Sequence, residues 1–250
     1  MKKRCFFDLT LFAFFIIAIL MISACQTLPE PQPVEPAPAP IVTPVPKPMT
    51  LSWDADKKPN EAWNKILIEA VLSSGLHKVA IKDREFCPKY DDLVETEKHE
   101  FWAQLISRMV KWESNYKPEA KMAECRKDKC IYGSCSKHPT LGFCMKGGHK
   151  LDGGVVISRG LIQMSLESSL ALGCDWLKKP EDLHDPAKNL QCAVKALTRY
   201  VVRDEQIAGN GPGDWKGGAR YWAVLRGTSD YTKKTLADIK KYTSSLSFCK

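Results

Sequence analysis

The chain has 250 residues, with 37 Lys and Arg against 29 Asp and Glu, and 44% of its residues are apolar. That length holds one domain of about 200 residues or two small ones. The moderate basic excess suits an anionic polymer, while an export signal at the N-terminus argues against nucleic acid as a partner.

That signal comes first in chain order. Lys2, Lys3 and Arg4 precede a run that is unbroken and apolar from Leu11 to Ile22, with Asp8 near its start. A charged n-region and an apolar h-region form an export segment, too short for a membrane-spanning helix of about 20 residues. The run closes on Ile22-Ser23-Ala24-Cys25, which resembles a bacterial lipobox. The resemblance implies lipidation of Cys25, and Gln26 in place of Asp implies sorting to the periplasmic side of the outer membrane. Without the charges of the export segment, 34 basic and 28 acidic residues remain, a net of about +6. Residues 26–52 form a linker with prolines at 29, 31, 33, 36, 38, 40, 44, 46 and 48. Such a sequence favours extended polyproline II. At about 3.1 Å per residue it spans roughly 80 Å, enough for an anchored domain to reach a polymer away from its membrane.

The folded domain is read as 53–250 and mainly α. Asn60 opens a helical pattern with Trp63, Ile66, Leu67 and Val71 on one side and Gly75 near its end. A second helix runs from about Glu97 to Ser114, with Trp102, Leu105, Ile106, Met109 and Trp112 three or four apart. Pro118 prevents its continuation. Residues 121–154 are rich in Cys, Lys and Gly and read as a cross-linked loop. Val155-Val156-Ile157 reads as one short strand. Ser165 caps a short helix ending near Leu172 and Gly173. Asp185-Pro186 caps another, which buries Leu190, Val194, Leu197 and Val201. A Gly-rich turn over 209–218 then leads to Tyr221, Trp222, Val224 and Leu225.

Eight cysteines lie outside the export segment, at 87, 125, 130, 135, 144, 174, 192 and 249. An even number in an exported domain predicts up to four disulfides. Cys174 and Cys192 are the pair favoured by position, because each borders a helix and one loop separates them. Cys125, Cys130, Cys135 and Cys144, with His138 and His149, offer zinc ligands instead. Their spacing lacks the usual CxxC, and an oxidising compartment favours disulfides, so no metal or cofactor is expected.

Glu113 follows Met109 by four residues and Ile106 by seven, so it falls on or beside the core-facing stripe. Desolvation there disfavours the carboxylate and raises its pKa. A protonated acid near neutrality can donate to a glycosidic oxygen. The alternative is a helix-end salt bridge with Arg108 or Lys117, and the helix pattern does not separate the two. Gly160-Leu161-Ile162-Gln163 is a Gly-led strip with one polar amide. Glycine permits close approach to a ligand, and Gln163 offers both donor and acceptor.

Glu113-Ser114-Asn115, then Gly160-Leu161-Ile162-Gln163, then Asp185-Pro186 with Asn189, then Tyr221, resemble in order the signature of soluble lytic transglycosylases and goose-type lysozymes. The resemblance covers roughly 100–225. It implies an α-rich lysozyme-like fold with Glu113 as the catalytic acid/base of a peptidoglycan lytic transglycosylase, which leaves anhydromuramoyl ends. It implies that Ser114 orients the acid or contacts sugar, that Ile162 and Gln163 lie against an N-acetyl sugar, and that Tyr221 hydrogen-bonds near the acid. Peptidoglycan glycan strands are the implied partner. A hydrolytic lysozyme needs a second acid, for which Asp152 and Asp175 are the nearest in sequence. A cell-wall-binding lipoprotein without turnover is the reading from another class.

Three departures stand out. Arg220-Tyr221-Trp222-Ala223-Val224 occupies the place of the family's Ala-Tyr-Asn-Ala-Gly, so Trp222 replaces a polar amide. Arg159 precedes the Gly strip, either as a contact for a substrate carboxylate or peptide stem or as surface charge. The insertion at 121–154 is much longer than the family's loop, and both its ends lie near the acid. It is expected to form a cleft wall and restrict the substrate.

Overall fold

The computed structural model describes residues 49–56, 60–123, 157–209, 211 and 213–250. These belong to a compact unit covering 47–250. The export segment, Cys25, most of the Pro-rich linker and Cys125, Cys130, Cys135 and Cys144 lie outside the described residues. The compact unit begins ahead of the boundary expected at residue 53: Leu51, Ser52 and Trp53 are all fully buried.

The domain is mainly helical. Its helices are α1 (Ser52–Ala55), α2 (Glu61–Ser74), α3 (Glu95–Ser114), α4 (Leu166–Ala171), α5 (Pro186–Asp204) and α6 (Asp230–Ser244). The strands β1 (Lys121–Ala123) and β2 (Ile157–Arg159) pair antiparallel, Lys121 opposite Arg159 and Ala123 opposite Ile157. Of the strand expected at 155–157, Ile157 begins β2 while Val155 and Val156 lie outside the described residues, and the first three residues read as loop form its partner.

Local chemistry sets the helix ends. Asn60 accepts the Trp63 N–H at the start of α2, and Gly75 closes that helix in the left-handed conformation. Ser165 accepts the Ser168 N–H ahead of α4. Asp185 accepts from Ala187 and Lys188, with Pro186 in the first turn of α5. Most of each expected stripe is buried: Leu67 and Val71 on α2, Trp102, Leu105, Ile106 and Met109 on α3, and Leu190, Val194, Leu197 and Val201 on α5, while Trp63, Ile66 and Trp112 are half-buried. α2 packs along α5, and α3 lies against both α2 and α6.

Two disulfides staple the described residues. Cys174–Cys192 is the expected pair and ties the loop after α4 to α5. Cys87–Cys249 ties the C-terminus to the segment before α3 across 162 residues. Among the described residues no helix is long and apolar enough to cross a membrane.

Candidate active site

Glu113 sits in the last turn of α3. The helix ends on two consecutive non-glycine residues in the left-handed region, Asn115 (φ 51°) and Tyr116 (φ 62°). An aromatic residue there is unfavourable without support. Support comes from the buried Tyr116 side chain, whose hydroxyl donates to Asp56 Oδ2 at 2.7 Å. Asp56 in turn meets Lys111 Nζ at 2.9 Å. The turn directs the chain away at once, which leaves Glu113 at the rim of a cleft of about 440 Å³.

Glu113 as a residue is half-buried, but its Oε1 is shut from solvent and has no hydrogen-bond partner. Burial pushes its pKa up to about 8, against the downward pull of the Arg226 guanidinium. The salt-bridge alternative does not hold for Arg108, which forks onto Asp238 at 2.7 Å through both Nε and Nη2. The Trp112 indole donates to the same Asp238 carboxylate at 2.7 Å. α6 therefore fixes the residue preceding the acid. Tyr231, also on α6, lines the cleft and donates to the Trp112 carbonyl at 3.1 Å. Neither α6 nor Tyr231 figures in the sequence reading.

The 159–164 strip contributes Gln163 to the same cleft. Arg159 and Met164 exchange backbone hydrogen bonds of 2.8 and 3.0 Å, so the strip closes as a tight loop. Gly160 has φ +80°, and a Cβ there would lie 2.1 Å from the Leu183 carbonyl oxygen. Gln163 is itself left-handed (φ 48°) and buried. Its Nε2 donates to the Gly160 carbonyl at 2.8 Å and the Ala120 carbonyl at 3.2 Å. The amide nitrogen thus fastens the strip to the end of the helix turn, and the residue forms part of the cleft wall.

The expected site residues divide accordingly. Glu113, Ser114 and Gln163 line one cleft, with Lys121 and Met122 from the start of the insertion. Ser114 donates its hydroxyl to the Val110 carbonyl at 3.3 Å. Ile162, Arg159 and Tyr221 do not line it. Ile162 is buried, its N–H held by Asn189 Oδ1 and its carbonyl by the Trp222 indole, both at 2.9 Å. Arg159 is buried rather than a surface charge, and its Nη1 donates to the Ile157 carbonyl at 3.3 Å. The Tyr221 hydroxyl accepts the Ser165 N–H at 3.0 Å instead of bonding the acid. Burial pushes its pKa up to about 12, and the Glu113 carboxylate adds to that rise from nearby. Trp222 is a core residue, so its replacement of a polar amide acts behind the wall and not in the cleft. Asp175 is exposed and borders no part of the cleft, and Asp152 lies outside the described residues. A larger cavity of about 590 Å³ lies between α2 and α5, but it lacks a buried acid. Chemistry therefore favours the smaller cleft.

A disulfide-stapled, mainly α domain that aims a desolvated glutamate into a cleft is the class of protein defined here. No family model and no curated protein matches the chain. Among solved structures it is 36% identical to a wild-type form of DslA, with a TM-score of 0.65. It is 35% identical to two variants of DslA, each with one glutamate changed to glutamine, with TM-scores of 0.65 and 0.66. Every match covers 82% of this chain and 100% of the solved one. The chain belongs to the DslA family.

Proposed function

We propose that this protein cleaves the glycan strands of peptidoglycan, with Glu113 as the acid. The observation that carries this reading is the Glu113 carboxyl itself: desolvated, without a partner on Oε1, and open to a cleft. Burial holds it protonated near neutrality. It donates that proton to the glycosidic oxygen as the sugar leaves, and the substrate's N-acetyl group stabilises the cation. The resulting carboxylate takes the proton of the muramoyl hydroxyl that closes the anhydro ring. One carboxylate suffices for this lytic transglycosylase route. Trp112 and Tyr231 supply aromatic surface beside the acid, where polysaccharide ligands pack well.

A second reading, hydrolysis, has its own support. The two glutamates substituted in the DslA variants lie eleven positions apart. Glu113 and Glu124 have the same separation here. Glu124 lies outside the described residues, one position beyond Ala123 of β1. Two carboxylates across a scissile bond activate water or form a covalent adduct. Asp152 and Asp175 have no such support.

The N-terminal sequence supports export, lipidation at Cys25 and tethering at the outer membrane, with the linker giving reach to the wall. The test is mass spectrometry of sugars released from purified sacculi by the oxidised full-length chain and by Glu113→Gln. Anhydro-ended products from the wild type alone would establish the transglycosylase. Reducing-ended products, lost in both Glu113→Gln and Glu124→Gln, would establish hydrolysis. No products from any form of the glycan, with binding retained, would leave a wall-binding protein.

A further inference from the structure

A second cluster of chemically active side chains lies at the other end of α3. Glu95 and His99 stand one turn apart in its first turns, on one face. His77 approaches from the turn Leu76–Lys78, which follows directly on the left-handed Gly75 that ends α2. His77 and His99 are each only 8% exposed. Their rings meet edge to face with centroids 4.1 Å apart. His77 Nε2 lies 3.2 Å from Glu95 Oε1, and His99 Nε2 lies 3.8 Å from the same oxygen.

Neither approach has hydrogen-bond geometry. Both ring nitrogens of His77 and Nε2 of His99 are buried with no hydrogen-bond partner. Such groups are rare in folded proteins and need an explanation. One ligand atom from each of the three residues fits within 4.8 Å of the other two. Tetrahedral zinc with bonds of about 2.0–2.1 Å sets its ligands about 3.3 Å apart. The Glu95–His77 separation already matches, and a contraction of about 1.5 Å closes the widest edge. Two imidazoles and one carboxylate suit a borderline divalent ion better than the oxygen-seeking magnesium or calcium. The Glu95 side chain is 69% exposed, which leaves an entry path and room for a water as fourth ligand.

We propose that His77, Glu95 and His99 bind one zinc ion. The site is distinct from the catalytic cleft. Eighteen residues of helix separate Glu95 from Glu113, about 27 Å at 1.5 Å per residue. Zinc there clamps the end of α2 to the start of α3, and so steadies the helix whose far end presents the acid.

The test is calorimetric titration of the full-length oxidised chain, stripped with EDTA, using zinc chloride and then cobalt(II) chloride. Expected are one equivalent of zinc, a rise in Tm on binding, and visible bands of low-symmetry cobalt(II). Glu95→Gln alters only an exposed side chain, so its fold is secure. It is expected to weaken zinc at least tenfold, and His77→Gln further still. Absence of saturable zinc binding in the wild type would overturn the proposal. So would affinity unchanged in Glu95→Gln, which would place any bound zinc elsewhere, among the other histidines or the cysteines outside the described residues. Should His77→Gln fail to fold, Glu95→Gln decides alone.

Discussion

The Trp222 indole N–H donates to the Ile162 carbonyl at 2.9 Å, joining residues sixty positions apart. Asn189 completes the hold: its Oδ1 accepts from Ile162 N and its Nδ2 donates to the Arg159 carbonyl at 3.2 Å. Both backbone groups of Ile162 are therefore occupied from behind. The strip that carries Gln163 is held from behind at Arg159 and Ile162.

Removal of the Trp222 bond has a defined cost. Trp222→Phe keeps most of the ring but leaves the Ile162 carbonyl buried without a donor, a loss of about 1–3 kcal/mol. Trp222→Ala adds a cavity, for about 3–5 kcal/mol in all. Urea unfolding with the disulfides intact checks both. A Phe variant as stable as the wild type would show that the indole bond does not support the strip.

Local signals made most of the helices legible. The caps at Asn60, Ser165 and Asp185 and the apolar stripes of α2, α3 and α5 are written in residues a few positions apart. α6 escaped because its buried face is mostly hydroxyl: Thr232, Thr235 and Thr243 with the apolar Ile239. Thr235 satisfies its hydroxyl on the Val224 carbonyl, a bond with no trace in hydrophobic periodicity. The same distinction separates the site residues. The helical stripe brings Glu113 to the core-facing side but leaves a salt bridge equally open, and the resemblance is what singles it out. The inward engagement of Ile162, Arg159 and Tyr221 depends on partners brought together by tertiary structure, as does the arrival of Tyr231 beside the acid.

Glu113 also links stability to pH. Its carboxyl titrates near 4.5 when unperturbed and at about 8 in the fold. Between those values the folded chain holds a proton that the unfolded chain releases, so this residue's contribution to stability falls as pH rises. Glu113→Gln lacks that loss. Its stability relative to the wild type should increase from about pH 5 to about pH 9, by roughly 2–5 kcal/mol. Paired denaturation curves across that range read the difference directly. A pH-independent gap would mean that the acid titrates as an ordinary surface glutamate.

Gly160 is required twice over, by its φ of +80° and by the Leu183 oxygen 2.1 Å from where a Cβ would lie. Gly160→Ala should cost at least about 2 kcal/mol and displace Gln163, which bonds the Gly160 carbonyl. Gly211 also has a positive φ (+123°), but nothing lies within 4 Å of its added Cβ. Gly211→Ala therefore pays only for backbone strain. The denaturation midpoints of the two variants should differ accordingly, and equal midpoints would show that the strip yields to a methyl group.

Arg226 is the charge that opposes the rise at Glu113. Its side chain is held by carbonyls, Nε donating to Ala219 at 2.8 Å and Nη2 to Tyr221 at 2.9 Å, and it lies over the Trp215 ring with its central carbon 4.4 Å from the centroid. These contacts hold the guanidinium where its charge acts on the acid. Arg226→Gln keeps donors for the carbonyls while removing the charge, so the Glu113 pKa should move above about 8. If Glu113 acts as the proposed acid, the alkaline limb of the activity profile moves up with it. Carbon-13 NMR of the side-chain carboxyl measures the same pKa without reference to turnover. A downward shift in both would mean that loss of the arginine lets water reach Glu113, and that burial rather than the neighbouring charge is what this residue controls.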